Sequence, residues 1–202
     1  MSFLTDELID TVRYEKYKFR VFPAFDVVLE IQRLYREPDL ESILKTDQAL
    51  KMLVLNPRKL SFLNVVERSQ LLELIYRDCI NTKQRPQTKP SAVPLLDFGE
   101  DGEYIYASFM LDYGIDLIEM QGQLHWKKFI ALFQGLSERT KIREVMRIRG
   151  MEIPPYNGKN QKQIQELREL KSYYALPVHG GGGQQGLDAL FSALEAQAVR
   201  DG

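Results

Sequence analysis

Reactive side chains are scarce in this sequence: 202 residues hold one cysteine and two histidines. Cys79 alone cannot close an internal disulfide, and its solitude fits a reducing compartment. It lies near the end of an apolar segment and reads as a buried small apolar group. His125 adjoins Trp126 in an apolar stretch and reads as a packed ring, while His179 borders a glycine run and reads as solvated. No Ser, His and carboxylate stand in a recognisable motif, and Cys79 has no neighbouring histidine. No apolar run approaches the roughly 20 residues that a membrane helix requires. Asp6, Glu7 and Asp10 stand where a secretion signal would need cations. The net charge of -1 removes any global argument for a polyanionic partner. Internal repeats are absent. These absences disfavour an enzyme, a membrane partner and a nucleic-acid partner. No catalytic, cofactor-binding or metal-ligating residue is expected.

Three short motif matches fail on inspection. Asp97-Phe98-Gly99 copies a kinase tripeptide without the glycine loop, lysine strand or catalytic loop. Read as a calcium loop, the same run puts Gly99 at position three and Ser108 at position twelve, where a bidentate glutamate belongs. The glycines at 180–183 lack the Gly-Lys-Ser/Thr ending of a phosphate loop.

What is present is ordinary soluble, intracellular globular composition, 44% hydrophobic and 27% charged. The centre is the stretch 103–153, which reads as three helices punctuated by glycine. Gly114 breaks the first. The second carries Leu124, Trp126, Phe129, Ile130, Leu132, Phe133 and Leu136, with spacings of three and four placing Trp126, Phe129, Ile130 and Phe133 on one face. That face should be buried against Tyr104 or Phe109. Ser137 reads as the N-cap of the third helix, and Gly150 as the residue just past its end.

Upstream, Val12, Tyr14, Tyr17, Phe19 and Val21 alternate as strands do, with Glu15-Lys16 as a tight turn. Such a hairpin must lie on helices to persist. Pro23 suits the first turn of a helix that runs to Pro38. A second helix, from about Leu40, carries Ile43, Leu44, Ala49, Leu50 and Leu53 and stops at Asn56-Pro57. Residues 61–80 repeat the pattern. From Gln84 to Gly102 the prolines Pro86, Pro90 and Pro94 rule out a regular helix, leaving a linker or a crossover with Val93, Leu95, Leu96 and Phe98 to bury. After Ile153, Asn160 with Gln163 resembles a capping box. The helix behind it has a narrow apolar seam of Ile164, Leu167, Leu170 and Tyr174.

The expected fold is mainly α and helical bundle-like, with a short N-terminal β-hairpin and a flexibly tethered C-terminal helix. Its regions are 1–83, 84–102 as linker or crossover, 103–177, and 178–202. In the last, Leu187, Leu190, Phe191 and Leu194 line one stripe of a helix about fourteen residues long, too short to be stable uncovered. It is expected to dock on a partner, tethered by glycines that reach only about 15 Å.

Charge is unevenly placed. Asp97 to Glu119 holds seven acids and no Lys or Arg, whereas the next segment holds Lys127, Lys128, Arg139, Lys141, Arg143, Arg147 and Arg149. Helix ends favour that order, so solvated faces are the simplest expectation. Arg139, Arg143 and Arg147 are the alternative, a basic contact for an acidic surface in the fold or in a second copy.

The segments EYIYASFMLDYGIDL and LHWKKFIALFQGLSERTK, followed by the basic helix through Arg149, resemble a family of small bacteriophage proteins catalogued as phage gene product fifteen. The likeness covers about half of the chain well and the N-terminal third loosely. At the N-terminus the chain departs from the pattern, with Tyr14-Glu15-Lys16 and then Phe22-Pro23-Ala24-Phe25-Asp26. The resemblance implies a product of the tail-gene clusters of long-tailed phages of Gram-positive bacteria. By gene position it implies a non-enzymatic, late-acting tail assembly chaperone that binds the tape-measure protein or tail-tube subunits in the host cytoplasm. A structural tail or connector protein retained in the virion is the other reading, and self-association is expected under both.

Overall fold

A computed structural model describes residues 8, 10–81 and 94–177. The stripe at Leu187, Leu190, Phe191 and Leu194 lies outside the described residues, as does the polar stretch 82–93. Among the described residues are one two-stranded sheet and seven α-helices. The helices are α1 (Phe25–Arg36), α2 (Ser42–Leu53), α3 (Val65–Ile75), α4 (Gly102–Tyr113), α5 (Trp126–Gly135), α6 (Lys141–Gly150) and α7 (Gln161–Tyr173). The mainly helical fold with its N-terminal hairpin is therefore as the sequence predicts. The described residues form two compact units, the first from 10–81 with 118–131 and the second from 94–117 with 132–177.

In the first unit, the alternation over residues 12–21 becomes strands β1 (Asp10–Tyr14) and β2 (Tyr17–Val21), antiparallel and joined at Glu15-Lys16. Val12, Phe19 and Val21 point inward and are buried. β2 also meets the end of α2: Phe22 N–H donates to the Leu53 carbonyl and Leu55 N–H to that of Arg20. The hairpin thus gains the support that two strands alone would lack. Pro23 lies just upstream of α1, not in its first turn, because its carbonyl is used elsewhere: it accepts the Trp126 N–H at 2.8 Å. Phe25 N–H donates to Leu124 at 2.9 Å, and the Asp26 carboxylate accepts the Gly122 N–H. Residues 122–126 are stitched in this way to the start of α1.

Phe129 stacks on Phe25 at 4.9 Å and on Trp126 at 5.6 Å, and all three are buried. The aromatic face of α5 is therefore buried as expected. His125 is packed at 2% exposure, its Nδ1 accepting the Lys127 N–H at the start of α5. Cys79 is buried in a π-helical turn that continues α3.

In the second unit α4 ends at Gly114, whose φ of 63° gives the left-handed closure that glycine adopts freely. Two expected caps differ. Ser137 is not the N-cap of α6, which begins after Thr140. Its amide and hydroxyl both donate to the Asp112 carboxylate, which draws it toward α4. Asn160 does precede α7 but forms no capping box; its side chain turns back to Asn157 N–H and the Pro155 carbonyl. Gly150 is the last residue of α6, one position earlier than expected.

Candidate interaction surfaces

The three arginines predicted as a basic contact have different surroundings. Arg139 and Arg147 are exposed. Arg143 turns its guanidinium to the carbonyls of Leu136 and Gln134, at 3.2 and 2.7 Å, and so neutralises the end of α5. They do not form one free cationic stripe.

The acidic run is also not a uniform solvated face. Asp97 and Asp101 are buried, and so is Arg149. Arg149 grips both oxygens of Asp101, at 2.6 and 2.7 Å, and its remaining donors reach the carbonyls of Leu95 and Tyr174. Asp101 also accepts the Asp97 N–H, and Asp97 accepts those of Gly99 and Glu100. With these carboxylates occupied by amides and a guanidinium, the arrangement is a structural knot without a free base. Sequence spacing hides it, since Asp101 and Arg149 stand 48 positions apart.

Two further contacts tighten the same unit. Ser108 donates to the Tyr104 carbonyl and accepts the Ile142 N–H, tying α4 to the start of α6. Lys141 donates to the Tyr174 hydroxyl at 2.8 Å and to Glu144 at 2.9 Å; chiefly the first, then the second, hold its pKa well above the usual lysine range. Among the described residues no group of three or more His, Cys, Asp or Glu could hold a metal ion. No helix there is long and apolar enough to cross a membrane.

What the surface does offer is apolar area with charge beside it. In the first unit, Arg13 stands directly opposite Lys18 across the ladder, and Arg20 lies next along β2, all three exposed. Lys16 sits over the Tyr17 ring at 5.4 Å, and Tyr17 stacks on Phe62 at 5.7 Å. Phe62 is 65% exposed, with Val65 and Val66 about half exposed beside it. The Tyr14 hydroxyl donates to Gln70, one turn along α3 from Val66, which places Val66 beside the hairpin. Leu40, Ile43 and Leu44 around the start of α2, expected as packing positions, are exposed as well. In the second unit, α7 presents an open depression lined by Glu166, Glu169, Leu170 and Tyr173. These surfaces were missed from sequence because an apolar period shows that a face exists, not what covers it.

Residues 4–176 match the family model described as Bacteriophage Gp15 protein. No curated protein and no solved structure matches the chain.

Proposed function

The chain belongs to the Bacteriophage Gp15 protein family, and from that premise we propose that it is a tail assembly chaperone. In this reading it binds apolar helices of the tape-measure protein, or tail-tube subunits, in the host cytoplasm while the tail is built, and it acts by binding without catalysis. The observation that carries the reading is the exposure of large apolar side chains on otherwise well-packed units: Phe62, Val65 and Val66 on one face, and Ile43 and Leu44 at the start of α2. Apolar patches cost solubility in a lone protein and commonly mark contact surfaces. A client with amphipathic helices can lay its stripes there. The membership in a phage family, together with the likeness to products of tail-gene clusters, supports a client among tail proteins.

The test is recovery of the tagged full chain from infected cells at a late stage, with its partners identified by mass spectrometry, beside the protein content of purified particles. The chaperone reading expects the tape-measure protein or tube subunits among the partners, and the chain absent from finished particles. Its presence there in stoichiometric amount would instead make it a structural tail or connector component.

A further inference from the structure

The two edges of the hairpin are not alike. The ladder puts Val12, Tyr14, Tyr17, Phe19 and Val21 on one face and Thr11, Arg13, Lys18 and Arg20 on the other, where these last are all exposed. The outer edge of β2 is satisfied. Arg20 N–H donates to the Asn56 side chain at 2.9 Å, and the Arg20 carbonyl accepts the Leu55 N–H at 2.8 Å. The Lys18 carbonyl accepts from the side chains of Asn56 and Lys59. These backbone groups face away from β1, so Arg20 and Lys18 stand in the wide, non-bonded pairs of the antiparallel ladder. Their partners Thr11 and Arg13 must then turn their own amides and carbonyls outward on the other side. Those groups line the free edge of β1, and among the described residues nothing pairs with them.

An edge with open donors and acceptors is a template for another strand. Charge decides which strand. A residue added opposite Arg13 would stand about 5.5 Å from it, Cα to Cα. Lys18 and Arg20 lie one strand further, about 10 Å away, which is about one screening length at 0.1 M salt. Among the described residues no carboxylate pairs with any of the three cations. Glu15, in the turn, is the single acid between positions 11 and 25. A second copy is a poor occupant. Pairing β1 with itself about a two-fold axis would set Thr11 opposite Arg13 and bring the two Arg13 side chains to diagonal positions, about 7–8 Å apart. Lys18 and Arg20 of both copies would join them on one face without an acid.

We propose that the free edge of β1 takes an extended, acidic segment of another protein as a third, antiparallel strand. The open amides and carbonyls of Thr11 and Arg13 bond its backbone. A carboxylate opposite Arg13, with Lys18 and Arg20 behind, selects its side chains. The charges that discourage self-pairing are the ones that favour this partner. The site uses none of the exposed apolar side chains and does not rest on the chaperone reading.

Amide hydrogen exchange by NMR on the full chain tests this, with short acetylated and amidated peptides as probes. One alternates glutamate and valine, a second alternates lysine and valine, and a third is the first N-methylated at its glutamates, which removes the donors on the pairing edge. Without peptide, the Thr11 and Arg13 amides should exchange fast and the Val12 amide slowly. The glutamate peptide should slow Thr11 and Arg13, and the lysine peptide should bind about tenfold more weakly. Arg13→Glu, an exposed substitution that keeps the backbone amide, should reverse that preference. The N-methylated peptide should not slow either amide. A glutamate peptide that does not bind, or binds while both amides stay fast, overturns the proposal. Equal binding of the N-methylated peptide overturns it too, since charge alone would then be the attraction. Slow Thr11 and Arg13 amides without peptide, in a chain that sediments as a dimer, would assign the edge to a second copy instead.

Discussion

Arg149 and Asp101 hold each other through two parallel bonds, and both side chains are almost fully buried, 5% and 1% exposed. A buried pair of this kind is dangerous to halve. Asp101→Ala leaves a guanidinium without its counter-charge and should cost about 3–5 kcal/mol. Replacing both partners by apolar residues of similar volume should cost much less. Urea unfolding of the two single variants and the double variant measures the difference. Near-additive losses would mean that the charges are solvated and independent.

Phe129→Ala should cost about 3–5 kcal/mol, because it empties a buried site between Phe25 and Trp126. The readout is the urea midpoint. A midpoint equal to that of the wild type would show that the α5 face is not core.

The start of α3 is closed reciprocally: the Asn64 side chain accepts the Glu67 N–H at 2.9 Å, and Glu67 accepts the Asn64 N–H. Asn64→Ala should lower stability by about 1 kcal/mol, and Asn64→Gly by only a few tenths. Thermal melts of both variants would reveal an ordering opposite to this if the cap were idle.

Alkali should weaken the fold. The Tyr35 pKa is raised chiefly by burial, from 10.0, with a hydrogen bond between it and Thr46 acting the other way. Lys141, exposed enough for solvent to screen it, is raised from 10.5 in the same direction. A raised folded pKa means that the native state holds the proton more tightly. The stability it contributes is whole below the unfolded value and is lost as pH rises through the folded one. Unfolding midpoints should therefore stay level up to about pH 9 and fall above about pH 10. Tyr35→Phe should make that fall shallower; an unchanged slope would remove Tyr35 from the account.

Much of the fold was legible because it rests on local pattern. The alternation at Val12, Phe19 and Val21 predicted the hairpin, the period of α5 predicted its buried rings, and Gly114 marked the end of α4. Caps were read less well. Ser137 and Asn160 have the right chemistry, but the nearby Asp112 and the Pro155 carbonyl compete for them. Asn64 with Glu67 had the same signature as Asn160 with Gln163 and was the pair that formed a capping box. The candidate surfaces were hardest to see. Whether Phe62 or Leu44 is covered depends on elements distant in sequence, and no spacing encodes that.

Residues 118–131 complete the first unit although they follow the opening part of the second. During synthesis the ribosome therefore delivers the hairpin and α1 long before Leu124, Trp126 and Phe129, on which Phe25 and the Pro23 carbonyl close. Until those residues emerge, the N-terminal helices have an open seam, and the second unit waits likewise for Arg149. Both units are thus finished late in translation, and a chain released early would leave each with its core unclosed.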